Sequence, residues 1–201
     1  MHRSEREGGA EDAPPPIPAG VSCEELQQPA DGVAPFFHRR YRTRIRDARL
    51  SPEELIDRVR RDPNAVAPSE FAWFHKVAGE DDDMRAGDEY VVHMPGPWNG
   101  PVRVVEVTPR SFRLATLDGH LEAGQIAFSA GREAQLLTFA VESWASSGDR
   151  LSRLLYHRLR MAKEIQLHMW TSLIERVVDL SQGRMTGGID IDTRRVDAAA
   201  P

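Results

Sequence analysis

Between Gly87 and Trp144 the chain is a succession of short apolar runs broken by turn residues, and an antiparallel meander is what accommodates that rhythm. Tyr90 to Met94 runs up to Pro95, and Asn99-Gly100 is a pair that favours hairpin turns. Val102 to Val107 follows, Thr108-Pro109-Arg110-Ser111 turns the chain, and Phe112 to Leu117 returns. Asp118-Gly119 is a second hairpin signal before Leu121 to Ser129, and Gly131 marks a turn before Gln135 to Trp144.

Helical periodicity frames these strands. After Trp144, a helix is expected from about Asp149 to Leu180, with Gly183 just beyond its end. Leu151, Leu155, Leu159, Ala162, Met169, Leu173, Val177 and Leu180 form one apolar stripe, with Arg153, His157, Arg160, Glu164, His168 and Glu175 opposite. About 32 residues at 1.5 Å each give roughly 48 Å, enough to cross a sheet. Ahead of the meander, Phe37 to Arg46 alternates as a strand: His38, Arg40, Arg42, Arg44 and Arg46 share one face, and Arg39 is the polar exception on the other. That basic row is either an anion-binding stripe or a solvated face paired with acids on the next strand. Ser51, Pro52 and Glu54 supply a cap, a first-turn proline and a capping box for a helix that Asp62-Pro63-Asn64 stops. Phe71 to His75 is read as a further strand. These elements define an α+β fold.

The chain has 201 residues and a net charge of −5, and that charge is localised. Residues 1–36 carry two arginines against seven acids, together with six prolines, and are expected to be a disordered, acidic, proline-rich leader. Pro14-Pro15-Pro16-Ile17-Pro18 favours polyproline II, so the leader is either a docking peptide for a protein partner or simply solvated. Residues 37–182 form the domain, and their charges balance. Residues 183–201 are expected to be a flexible tail with Ile189 and Ile191 as its anchors. A neutral domain lacks the basic footprint of a nucleic-acid binder. Cys23 is the only cysteine, which excludes an intramolecular disulfide and a cysteine-based zinc site. No run is long enough for a membrane span and no signal-peptide core is present, so a cytoplasmic location is expected.

Few residues suggest chemistry. His157 and His168 share a helix face but lie eleven residues, about 16 Å, apart, too far to ligate one ion. No metal site and no cofactor is expected. Gln166 sits within the apolar stripe, where a buried amide either bonds a neighbour or faces a cavity. The segment Thr116 to Gln125 reads as a hairpin, with Gly124 permitting a bulge or close packing. The same segment could also put His120, Glu122 and Gln125 at a cavity mouth, where an imidazole beside a carboxylate could act as general base.

Thr116, Gly119-His120, Glu122, Gly124 and Phe128 resemble the T-L-x-G-H-x-E-x-G-E-x-x-F pattern of a bacterial and plant family of unknown function, over about residues 37–182. Gln125 departs from it, standing where an acid is usual. The family is similar to the START-like helix-grip superfamily. That resemblance implies a curved antiparallel sheet wrapped around the long C-terminal helix, with a mainly apolar cavity between them. The function expected is binding of a small apolar molecule or lipid, with Tyr90, Phe112, Phe128 and Phe139 lining the sheet side and Gln166, Met169 and Trp170 the helix side. The alternatives are a cyclase- or hydrolase-like enzyme using His120 and Glu122, and a scaffold recruiting a partner through its leader.

Overall fold

The computed structural model describes residues 1–28, 33–80, 83–94, 99–147 and 159–196. Nine strands form one sheet: β1 (His2–Glu7), β2 (Val33–Arg46), β3 (Trp73–Ala78), β4 (Glu89–His93), β5 (Asn99–Thr108), β6 (Ser111–Thr116), β7 (Glu122–Glu133), β8 (Leu136–Ser147) and β9 (Arg184–Val196). Their order across the sheet is β1-β9-β2-β8-β7-β6-β5-β4-β3, antiparallel throughout except for the parallel pair β1 and β9. The meander expected between Gly87 and Trp144 is the β4 to β8 part of this sheet, and β3 extends it at the edge. Helix α1 (Pro52–Arg61) follows β2, and α2 (Leu159–Leu180) precedes β9. The start of α2 expected near Asp149 lies outside the described residues.

Helix α1 begins as its sequence dictates. The Ser51 hydroxyl accepts from the Glu54 amide at 3.2 Å, and the Glu54 carboxylate accepts from the Ser51 amide at 2.8 Å. Leu55, Ile56 and Val59 are buried in the core, and Asp62 caps the far end. Past the short helical turn Pro63–Ala65, Asn64 anchors β3 by bonding both the amide and the carbonyl of Phe74.

Alternation along each strand gives the sheet two chemically distinct faces. The inner face carries Tyr41, Thr43 and Ile45 of β2, Phe139 and Val141 of β8, Phe128 of β7, Phe112 and Leu114 of β6, and Val102 and Val104 of β5. All are buried, and α2 adds Trp170, Leu173, Ile174 and Val177 to the same core. Two glycines are required by close approach. A Cβ on Gly124 would meet the Trp144 carbonyl oxygen at 1.9 Å, and one on Gly183 would meet Ile45 at 2.5 Å where the chain leaves α2 for β9.

On the outer face the basic row of β2 is spent on ion pairs within the sheet. Arg44 bonds Asp190 of β9 at 3.1 Å, Arg42 pairs with Glu133 of β7, and Arg40 lies 4.0 Å from Glu142 of β8. These are the cross-strand acids that the solvated-face reading anticipated.

Both termini depart from expectation. Residues 183–201 are not a loose tail as far as they are described: β9 lies between β1 and β2, with Ile189 and Ile191 buried on the inner face. Nor are the described residues of 1–36 a free leader. Strand β1 pairs in parallel with β9 from His2 opposite Asp190 to Glu7 opposite Arg195, although all six of its side chains are exposed. Composition registers whether a segment can bury apolar surface. Main-chain pairing to an existing strand edge needs none, which is why segments with a disorder-like composition can pair as strands.

Candidate functional site

The inner face concentrates aromatic side chains where β6 and β7 meet α2. Register places Phe112 opposite Phe128, and their rings stack at 4.8 Å with an interplanar angle of 16°. Trp170 of α2 stands edge-on to Phe128 at 6.0 Å. Phe139 is fully buried in the same cluster. Tyr90 packs edge-on against Phe74 at 6.4 Å on the β3–β4 side. Met169 packs against the cluster from the helix and is partly buried. Of the seven expected lining residues, six therefore meet one core, and the side chain of Gln166 lies outside the described residues.

Two polar atoms are stranded in this interior. Trp170 is 9% exposed and its indole Nε1 has no hydrogen-bond partner among the described residues; Ser143 is 6% exposed and its Oγ likewise has none. Leaving such a group unpaired costs about 1–3 kcal/mol, so each is a donor awaiting an acceptor. Ser143 follows Phe139 and Val141 at period two and faces Ile126 of β7, next to Phe128 on the same face. The alternation could have identified it. Arg39, the polar exception of its face, stands opposite Ser143 on β2, with its guanidinium 4.3 Å over the Phe37 ring.

A second polar group lies at the β3–β4 end. Lys76 Nζ is 2.8 Å from a buried Asp88 carboxylate and 5.6 Å over the Tyr90 ring, and it donates to the Asp83 carbonyl at 2.6 Å. Burial lowers the Lys76 pKa, but the hydrogen bonds and charges of Asp88 and Tyr90 together outweigh it and raise the value, while burial pushes the Tyr90 phenol up. Lys76 thereby ties β3 to Asp83 and Asp88 ahead of β4.

The hairpin pair is arranged for structure. His120 Nδ1 accepts from the backbone amide of Glu122 at 2.9 Å, and burial pushes the imidazole below its ordinary value. The described bond runs to the main chain, whereas a general-base pair would place the Glu122 carboxylate on that nitrogen. Gln125 lies across the sheet on the outer face, where its amide accepts from Arg113 at 2.7 Å and donates to the Pro15 carbonyl at 3.2 Å. A carboxylate at this position could accept from Arg113 but could not donate to Pro15. A glutamine at this position therefore suits contact with the leader. Among the described residues, no group of three or more His, Cys, Asp or Glu side chains could hold a metal ion, and no helix is long and apolar enough to cross a membrane.

A large, mostly antiparallel sheet whose aromatic inner face packs against a long helix near its C-terminal end is an α+β architecture, and its structural neighbours have START-like folds. The chain belongs to the family described as Domain of unknown function (DUF1990), whose model matches residues 21–182. Norcoclaurine synthase from Thalictrum flavum, solved in complex with dopamine and hydroxybenzaldehyde, is similar over 84% of this chain and 96% of its own, with a TM-score of 0.52 at 7% identity. A hypothetical protein from Helicobacter pylori is similar over 71% of this chain and 86% of its own, with a TM-score of 0.52 at 10% identity. A conserved protein from Geobacillus kaustophilus covers 74% and 98%, with a TM-score of 0.50 at 10% identity. No curated protein is detectably similar in sequence. At these identities the likeness establishes the fold alone.

Proposed function

We propose that the protein binds a small, mainly apolar molecule between the inner face of the sheet and α2, with the sheet curving around that helix. The observation that carries this reading is the unpartnered Trp170 indole N–H, held edge-on to Phe128 in an otherwise apolar cluster. A buried donor without an acceptor is disfavoured in the empty protein and is satisfied when a ligand brings an oxygen to it. Ser143 supplies a second such group on the sheet side. The ligand class is therefore an apolar body carrying at least one hydrogen-bond acceptor.

Native mass spectrometry of the purified chain, followed by thermal-shift titration with the species that co-purifies, tests the reading. A bound small molecule that raises the melting temperature and quenches Trp170 fluorescence is the expected result. A chain that purifies empty and shows no shift with a panel of fatty acids, sterols and aromatic ketones would overturn it.

A further inference from the structure

Asp12 to Gln27 crosses the outer face of the sheet, and the residues beneath it are unusual for a strand surface. Arg113 of β6, Arg103 of β5 and Gln125 of β7 are all buried, and they bond the leader through its main chain. Arg113 Nη1 donates to the Pro15 carbonyl at 2.9 Å and Nη2 to the Pro16 carbonyl at 3.1 Å. Arg103 Nη1 donates to the carbonyls of Ser22 at 3.0 Å and Glu24 at 2.7 Å. Glu89 fixes the other edge of the Arg103 guanidinium, at 2.6 Å from Nη2 and 3.0 Å from Nε. At the start of this path Asp12, 1% exposed, accepts from Arg194 at 3.0 Å and from the Gly9 amide at 2.9 Å, and its carboxylate lies 2.7 Å from His38 Nδ1.

This is a chemistry of recognition rather than of core packing. Desolvated guanidiniums are costly unless they are matched; here Arg103 is matched by Glu89 and two peptide carbonyls, and the Nη groups of Arg113 by Gln125 and two peptide carbonyls, while its Nε lies 3.6 Å from Glu106 and makes no hydrogen bond among the described residues. Consecutive prolines suit such a site. Their carbonyls project from a preformed extended helix, and they bring no N–H groups to meet the cations. Most leader side chains from Glu11 to Gln28 remain exposed or half-exposed, Asp12 apart, so little apolar burial locks the segment in place.

We propose that the outer face of β5 to β9 is a recognition surface for an extended, proline-rich segment of a partner protein carrying an acidic residue three positions ahead of paired prolines. The chain's own leader, with Asp12 and Pro15-Pro16, is the resident occupant that such a segment displaces.

The test weakens the occupant and leaves the surface intact. In full-length Asp12→Asn, amide hydrogen exchange of residues 8–28 is expected to quicken about tenfold, with β7 and β8 unchanged, because a charge-assisted contact is lost. A fluorescent synthetic peptide of residues 8–28 should then bind this variant about tenfold more tightly than it binds the wild-type chain, where the tethered leader competes at high effective concentration. Adding Arg113→Gln to the variant, or replacing both Pro15 and Pro16 by alanine in the peptide, should abolish that binding. Arg103→Gln is the second surface variant should Arg113→Gln alter exchange in β6 and β7. An unchanged leader in Asp12→Asn overturns the proposal. So does a released leader with no peptide binding, or binding that survives both surface variants or the proline replacement.

Discussion

Asp12 Oδ1 lies 2.7 Å from His38 Nδ1, and the opposite nitrogen of the same ring lies 2.7 Å from Glu142 Oε1. An imidazole set between two carboxylates is best satisfied with both nitrogens protonated, and stacking on Trp144 at 5.2 Å holds the ring in that plane. The contact joins the leader to the middle of the sheet by charge.

The Asp12–His38–Glu142 contact is therefore pH-dependent. Bonding to Glu142 and Asp12 outweighs burial and raises the His38 pKa above 6.5, so its contribution is complete below 6.5 and is lost as pH rises through the raised value. Asp12 is lowered from 3.8 by His38, Gly9 and Arg194 against the opposing effect of burial, so its contribution is lost as pH falls through that lowered value. Limited proteolysis within residues 1–28 is expected to be slowest between about pH 4.5 and 6 and to accelerate toward alkaline pH. His38→Gln should flatten the alkaline limb; an unaltered limb contradicts the assignment.

Trp170→Phe removes the stranded N–H while keeping most of the ring packing. In the ligand-free chain, the variant is expected to unfold within about 1 kcal/mol of wild type, because the donor makes no bond among the described residues. Affinity for the co-purifying molecule should fall about five- to tenfold, corresponding to roughly 1 to 1.4 kcal/mol. Calorimetric titration alongside denaturant unfolding separates the two effects.

Phe128→Ala strips the ring shared by Phe112 and Trp170. The expected loss is about 3–5 kcal/mol in urea unfolding, the range for deleting a buried phenylalanine. A cost below about 1 kcal/mol would mean that the cluster is loosely packed at this point.

Ser51→Ala deletes the α1 cap, whose hydroxyl accepts from the Glu54 amide. A destabilisation of about 1 kcal/mol is expected, with Ser51→Asp close to neutral. The chemical denaturation midpoint of both variants checks it.

Residues differ in how far their roles can be read from the chain alone. Ser51 and Glu54 act on their own turn, so their spacing is enough. Phe112 and Phe128 follow from strand alternation, which assigns them to the buried face and leaves only their register to be found. Arg113 and Gln125 were illegible because their partners, the carbonyls of Pro15 and Pro16, are about a hundred residues distant in sequence and carry no side-chain signature. His120 and Glu122 suggested a general base by proximity, and the fold adds a bond that proximity does not show, from the Glu122 backbone amide to His120 Nδ1.

By itself the sequence determined the secondary elements of the β3 to β8 region, the capped first helix and the apolar character of the second. Each depends on propensity and periodicity within about ten residues. Tertiary structure alone decided that a segment with two buried isoleucines becomes an interior strand, that an acidic leader straps the outer face, and that the Trp170 N–H finds no acceptor among the described residues. Main-chain pairing, arginine–carbonyl bonds and the absence of a partner are relations between distant segments, and no local pattern encodes them.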